Sequence, residues 1–204
     1  MGLRRTVAAL WVATVLYWPA QLLVSRSWPT PYSWRGDVIS ALGATTCTEY
    51  CSPDHALMNA TFVAVGALTA AGAAVLVPQT SGRDRAGWVL VAVSGLCTSA
   101  VGFLPMDVSP AAHNLAAQTH WALQVAGMVT LCAGVVGRDR RARALTVACT
   151  AAAVIGGAAF LTPGTWGLGA GLSERVALDS LNVWTIGMGV LLLRGLRPGL
   201  RPSR

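Results

Sequence analysis

Six uninterrupted apolar runs constrain this chain of 204 residues more than any other feature of its sequence. They cover residues 6–24, 56–77, 86–104, 116–136, 142–162 and 176–193, and Arg143, at the start of the fifth run, is the only Lys or Arg within them. Each run approaches the ~20 residues that a helix needs to cross a hydrocarbon core about 30 Å thick. We therefore predict an all-α integral membrane protein, a single domain (residues 1–204) built as a bundle of six transmembrane helices.

The composition supports this prediction and excludes several other classes of protein. Hydrophobic residues make up 54% of the chain and charged residues only 11%, whereas soluble domains carry roughly 25% charged residues. Too few charges are present to cover the surface of a soluble enzyme, and the apolar content excludes a disordered chain. The first run is longer than the ~7–15 apolar residues of a signal peptide, so we expect a retained helix.

The charged residues predict the orientation of the bundle. The net charge is +7, and all fifteen basic residues are Arg. Because they lie between the apolar runs, we interpret them as topology signals rather than as a nucleic-acid surface. One side of the bundle would carry twelve of them: Arg4, Arg5, Arg83, Arg85, Arg138, Arg140, Arg141, Arg143, Arg194, Arg197, Arg201 and Arg204. The other side would carry Arg26, Arg35 and Arg175. The positive-inside rule then predicts a plasma-membrane protein with both termini, including a basic tail at residues 194–204, in the cytoplasm.

The first outward loop, residues 25–55, is long enough to fold over the helix ends as a cap. Asp37 and Ser40 are three residues apart in this loop, so they would share a face of a helical turn. Asp37 is either an acid, base or ligand at the mouth of a cavity or the N-cap of that turn.

Two cysteines, Cys47 and Cys51, lie in the same loop. An outward compartment permits disulfides, and the four-residue spacing meets the required Cα distance if the segment turns. We predict that they are joined in a disulfide.

A polar stripe enters the fourth run from the outward side, shortly after Asp107. At 100° per residue, His113, His120 and Gln124 fall on one line of a helix. Polar side chains at this depth should face the bundle interior or a wet cavity. We expect His120 to matter more for stability and His113, nearer the mouth, to matter more for function.

The spacing of the two histidines argues against a shared metal. Seven residues rise about 10.5 Å along a helix, while zinc ligands lie about 2 Å from the ion. One His bound to a metal with an acid, a structural buried His and a proton-transferring His all remain open at this stage. We predict no metal and no cofactor.

The sixth run begins with a group of polar residues. Glu174 precedes it near a helix N-terminus, where the dipole favours an acid. Arg175 and Asp179 form an i, i+4 pair, and Asn182 lies on the same side of the helix. The pair is interpreted either as an internal salt bridge or, for Asp179, as a catalytic carboxylate.

Several short motifs resemble a known family. The stretch Asp37-Val-Ile-Ser-Ala-Leu-Gly is followed by Pro53 and by Met58-Asn-Ala-Thr-Phe62. Gly102-Phe-Leu-Pro-Met-Asp107 is followed by His113. These segments resemble the prokaryotic membrane-protein family catalogued as domain of unknown function 998, over roughly residues 6–195. The resemblance implies six spans and no settled activity.

A more distant resemblance is to the six-span group that contains the damage-regulated autophagy modulators and a GPI-anchor remodelling factor. It rests on Ser40 and His113. That group has an Asp directly after the Ser, whereas Ala41 stands here. The departure puts a lipid-remodelling role in doubt.

Three functions follow as hypotheses. The first is a helix bundle whose outer polar pocket binds a lipid or a membrane partner, with Ser40, Asp107, His120, Gln124, Arg175, Asp179 and Asn182 as binding residues. The second is an intramembrane acid–base enzyme acting on a lipid or prenyl substrate at the outer leaflet, with Asp37, His113 and Glu174 as catalytic groups and Ser40 or water as nucleophile. The third is a small transporter or proton pathway. Membrane lipids are the expected partners, a membrane-protein partner or homo-oligomer is left open, and no nucleic acid is expected.

Overall fold

A computed structural model describes residues 2–47 and 49–196 of the chain. Most of the predicted basic tail, residues 197–204, lies outside the described residues. The helices are α1 (Leu3–Ala13), α2 (Tyr17–Arg26), α3 (His55–Leu76), α4 (Gly82–Phe103), α5 (Pro110–Cys132), α6 (Arg140–Leu161) and α7 (Ala170–Leu193). A 3-10 turn over Thr14–Leu16 joins α1 and α2 into one rod. Within the described ranges the chain is helical and contains no strand.

Five of the resulting rods are long and apolar enough to cross a membrane: Leu3–Arg26, His55–Gln79, Gly82–Phe103, Arg140–Leu161 and Ala170–Leu193. Helix α5 has 23 residues, which is sufficient length, but its polar stripe lowers its hydropathy below that of the others. The predicted all-helical membrane architecture is therefore confirmed in its coarse form.

Helices that follow one another pack together, α3 with α4, α4 with α5, and α6 with α7, while α1 packs against α7. The close approach of neighbouring helices depends on small residues at their contacts. A Cβ on Gly95 of α4 would lie 2.6 Å from the amide nitrogen of Ala70, so a larger side chain would force α3 and α4 apart.

An aromatic cluster fills the half of the bundle that lies away from the long loop. Trp11, Trp88 and Trp184 are fully buried, with ring centroids 5.6–6.5 Å apart. Trp11 Nε1 donates to the Thr69 carbonyl at 3.2 Å. Surrounding aliphatic side chains make this half a dry core.

Helices α5 and α7 each begin six residues before the apolar runs that predicted them, at Pro110 and Ala170. Because their first turns contain polar residues, the apolar runs of the sequence did not include these turns. In α7 these turns are buried under the long loop, residues 27–54. The loop carbonyls of Gly36 and Arg35 accept the amide hydrogens of Gly171 and Leu172 at 3.2 and 3.1 Å. They satisfy donors that a helix N-terminus otherwise leaves free.

Candidate functional site

Ser40 is the centre of a polar cluster at the end of the bundle covered by the long loop. Its Oγ lies 2.9 Å from His113 Nε2 and 3.0 Å from Glu174 Oε1. Ser40 sits in a 3-10 turn of the loop, Ile39–Gly43, while His113 belongs to the first turn of α5 and Glu174 to the first turns of α7. Three separate elements therefore meet at one hydroxyl group.

Both partners of Ser40 are held rigidly. His113 is 3% exposed, and its Nδ1 lies 2.7 Å from the Leu104 carbonyl at the end of α4. Glu174 is 6% exposed, and its second carboxyl oxygen accepts the amide hydrogen of Ile39. His113 is buried with both ring nitrogens engaged, because the loop folds over the start of α5.

The hydrogen bonds fix the number of protons in the cluster. A carbonyl can only accept, so His113 Nδ1 must carry a hydrogen and donate it to Leu104. Two hydrogen bonds then connect Nε2, Ser40 Oγ and Glu174 Oε1, but the serine hydroxyl supplies only one proton. The second comes from a protonated Glu174 or from an imidazolium at His113. Both arrangements have zero net charge, which suits a buried cluster.

The cluster faces a cavity of about 240 Å³ between α5, α6 and α7. Ser40, His113 and Glu174 all line it, and the remaining wall is mainly apolar, including Trp121 and Leu178. Phe160 and Leu161 at its rim are 39% and 61% exposed, so the opening faces the surface on which lipid would pack.

A second cluster surrounds Arg175. Its guanidinium donates to the carbonyls of Trp34, Asp37 and Gly171 at 2.9–3.1 Å and also to the Tyr32 hydroxyl. It lies 5.2 Å from the Tyr32 ring centroid and 4.7 Å from that of Trp34. Burial raises the pKa of Tyr32 to about 12, so its hydroxyl stays protonated and donates to Asp37 and Val38 carbonyls at 2.9 Å. Arg175 therefore fastens the loop to α7.

Asp37 does not join the Ser40 cluster. Its carboxylate accepts the Ser33 amide hydrogen at 2.7 Å within a tight turn of the loop. The hypothesis that Asp37, His113 and Glu174 act together is therefore not supported by the geometry. Ser40, which the sequence analysis named as a possible nucleophile, lies between His113 and Glu174.

Asp107 joins the long loop to the α4–α5 connection. One carboxylate oxygen accepts the amide hydrogens of Thr45 and Thr46 at 2.8 and 2.6 Å and the Thr46 hydroxyl at 2.7 Å. Burial alone would raise the pKa of Asp107, but the hydrogen bonds from Thr46 and Thr45 outweigh it and lower that pKa. Asp107 thus positions the loop beside Ser40 and does not line the cavity.

His120 and Gln124 form a deeper polar network. His120 Nδ1 lies 2.9 Å from Ser94 Oγ and 2.8 Å from Thr98 Oγ1. Gln124, which is 2% exposed, accepts from Ser94 Oγ at 3.0 Å and donates to Leu181 O and Thr185 Oγ1, both at 3.2 Å. The network connects α4, α5 and α7.

Asp179 and Asn182 face α2 and the Thr14–Leu16 turn rather than Arg175. Gln21 Nε2 donates to Asp179 Oδ1 at 3.5 Å, and Trp18 Nε1 donates to Asn182 Oδ1 at 2.9 Å. Among the residues described, no ion pair joins Arg175 to Asp179. The salt-bridge interpretation is therefore wrong, because the loop carbonyls attract the guanidinium towards the N-terminus of α7.

Cys47 and Cys51 form a disulfide with an S–S distance of 2.03 Å. The described part of the chain holds no group of three or more His, Cys, Asp or Glu side chains arranged to bind a metal ion.

Sequence reasoning missed several residues of these clusters. The contributions of Tyr32, Trp34, Gln21, Ser94, Thr98 and Thr185 were not predicted. Buried hydroxyls one helical turn apart, as at Ser94 and Thr98, were the available signal. Their partners lie on other helices and could not be inferred from spacing.

Comparison with known proteins gives one family and no closer relative. No curated protein and no solved structure matches the chain. The family described as a protein of unknown function (DUF998) matches residues 11–191. This match covers most of the chain and agrees with the resemblance of its motifs, so the protein belongs to the DUF998 family.

Proposed function

We propose that this protein is an intramembrane enzyme that acts on an acyl-bearing lipid, with Ser40 as the nucleophile and His113 as the general base. The observation that carries the proposal is the position of Ser40 Oγ, 2.9 Å from His113 Nε2, inside a cavity with apolar walls and a lipid-facing rim. A serine hydroxyl is a weak nucleophile until an adjacent base accepts its proton.

The contacts support a separate role in the reaction for each of Ser40, His113 and Glu174. Ser40 Oγ attacks the carbonyl carbon of the lipid while its proton passes to His113 Nε2. The Leu104 carbonyl holds the other ring nitrogen and stabilises the imidazolium. His113 then gives the proton to the departing alcohol or amine, leaving an acyl group on Ser40. Glu174 is a positioning residue, since it contacts both Ser40 and the backbone of its 3-10 turn.

The two ends of the bundle support a topology of six spans, made of the five apolar rods and helix α5. The Arg-rich starts of α4 and α6 lie at one end, where Asp84 Oδ1 accepts the Val135 amide hydrogen at 2.8 Å. The long loop and the Ser40 cluster lie at the other end. By the positive-inside rule, both termini are cytoplasmic, the loop is an outward cap and the cavity opens to the outer leaflet of the plasma membrane.

A second candidate function is lipid binding without chemistry. One observation favours it: the Ile39 amide, which could otherwise stabilise an oxyanion, donates to Glu174. In that case the same cavity would hold a lipid chain or the segment of a membrane partner. The third hypothesis, a transporter, receives less support because the buried Trp cluster blocks a polar path to the other end.

Covalent labelling tests the proposal. The purified protein in detergent micelles is treated with a long-chain alkyl fluorophosphonate, and intact mass and peptide mapping follow. We expect one phosphonyl group on Ser40 and none in Ser40→Ala. The matched control is Ser180→Ala, because the only hydrogen bond of Ser180 Oγ within the described residues is to the Ala177 carbonyl of its own helix. It should react like wild type.

His113→Gln should slow labelling by roughly 100-fold or more, the usual contribution of a general base. Labelling that survives in Ser40→Ala would refute the assignment of the nucleophile. A wild-type protein that stays unlabelled but co-purifies with a stoichiometric lipid would favour the second candidate.

A further inference from the structure

A second, smaller cavity lies behind Ser40 in the bundle interior. Its volume is about 50 Å³. Ser40, Ala117 and Leu178 line both this chamber and the larger lipid-facing cavity. Ser40 therefore belongs to a thin partition between the two spaces.

Polar side chains border the chamber. More than half of the residues around it are polar, among them Tyr17, Thr69, Thr98, His120 and Asn182, and the rest of its wall is apolar, as in the larger cavity. Its volume accommodates roughly three water molecules, and each needs two or more polar partners. The Thr69 hydroxyl is one of the groups to which a chamber water can bond.

A network of hydrogen bonds borders the chamber. Gln124 Nε2 donates to the Leu181 carbonyl, and Gln124 Oε1 accepts from Ser94 Oγ. His120 Nδ1 lies within hydrogen-bond distance of both Ser94 Oγ and Thr98 Oγ1. His120 and Gln124 both line the chamber.

The chamber is closed on the side away from the loop. Thr69, in its wall, accepts a hydrogen bond at its carbonyl from Trp11, which belongs to the buried Trp cluster. The chamber therefore adjoins Ser40 on one side and the Trp cluster on the other.

We infer that this chamber holds the hydrolytic water of the reaction, so that the protein is a hydrolase of acyl-bearing lipids rather than an acyltransferase. The inference rests on the proposed function. In the second half-reaction, the oxygen of a chamber water attacks the acyl carbon on Ser40 and one of its protons passes to His113 Nε2. The bond to Ser40 Oγ breaks, His113 returns the proton to that oxygen, and a free fatty acid leaves through the lipid-facing cavity.

Water in the chamber is detected without reference to activity by X-ray radiolytic footprinting of the wild-type protein in micelles. Hydroxyl radicals form where water is bound, so we expect oxidation of Tyr17 and Phe62 in the chamber wall although they are only 6% and 7% exposed. Trp11 and Trp184 are the matched controls. They are fully buried in the dry core and should stay unmodified. Absence of oxidation at both Tyr17 and Phe62 would overturn the inference.

Kinetics test what the water does. Thr69→Leu fills part of the chamber, whereas Thr61→Leu changes a buried Thr of the same helix that lines neither cavity. With a p-nitrophenyl acyl ester, Thr69→Leu should keep the burst of one equivalent and lose tenfold or more in steady-state turnover. Thr61→Leu should retain both. Equal loss of burst and turnover in Thr69→Leu, or no loss, would refute a role in deacylation.

The experiments distinguish failure of the proposed enzyme from failure of the proposed water site. Oxidised chamber residues in a protein that fluorophosphonate does not label would remove the proposed enzyme, and the hydrolase with it, while leaving the water site. Labelled Ser40 beside an unoxidised chamber would retain the enzyme and reject the water supply.

Discussion

Gln124→Leu should destabilise the bundle by about 2 kcal/mol. The amide of Gln124 makes one hydrogen bond to α4 and two to α7 from a residue that is 2% exposed. Hydrogen bonds between helices in a bilayer contribute on average ~0.6 kcal/mol each, which gives about 2 kcal/mol for three. Because Leu has a similar volume, the cavity left behind adds little.

The measurement is reversible unfolding by sodium dodecyl sulfate in mixed micelles, followed by circular dichroism. The matched control is Gln118→Leu, on the same helix. Gln118 is exposed at the larger cavity and makes no hydrogen bond in the part of the chain that is described. Gln118→Leu should change stability by less than ~0.5 kcal/mol, as expected for a surface substitution. Equal effects of the two substitutions would show that the network does not stabilise the helix contacts.

Three further predictions follow from the same geometry. Single-Cys variants at Ser81 and Ser109, in a background without native Cys, should differ on intact cells: an impermeant thiol reagent should label only Ser109→Cys, and labelling of Ser81→Cys would reverse the orientation. Because the pKa of Asp107 is lowered in the folded state, its contribution to stability is present above the ordinary Asp value of about 3.9 and is lost as pH falls through the lowered pKa. In thermal melts, Asp107→Asn should be less stable than the wild type at neutral pH and should lack this acid-dependent loss. Identical acid profiles of the two proteins would contradict the assignment. Gly95→Ala should cost roughly 1–3 kcal/mol in the same micelle assay, because its Cβ would overlap the α3 backbone, whereas Ala67→Leu on the exposed side of α3 should be nearly neutral.

Hydropathy was sufficient to predict the helices but not all of their starts. A continuous apolar run and a helix of matching length arise from the same requirement, since backbone groups in a bilayer must bond internally. The first turns of α5 and α7 contain His113, Ser173 and Glu174, which lie before the apolar runs of the sequence. They are helical because the loop and the α4 carboxyl end supply partners for their polar groups.

The cluster around Ser40 was predicted as a set of residue types but not as a contact. Ser40 is 73 residues from His113 and 134 from Glu174, and spacing carries information only along one helix. The same limit explains the error at Asp37. Spacing of three residues predicts a shared face on a helical turn, but the 3-10 turn begins at Ile39 and leaves Asp37 in the preceding bend.

The distribution of buried polar groups explains why chemistry is expected at one end of this bundle. In the half away from the loop, Trp11, Trp88 and Trp184 pack among buried aliphatic side chains. In the half beneath the loop, Ser40 lines both the lipid-facing cavity and the smaller chamber, which His120 and Gln124 also line. Polar side chains buried in a membrane protein are costly unless they serve a structural or chemical role. The deeper network of Gln124 meets the structural requirement by joining three helices. The Ser40 cluster adds little to helix packing, because its centre lies in a loop, so its burial is better explained by a reaction that needs both an acyl chain and water at the same hydroxyl.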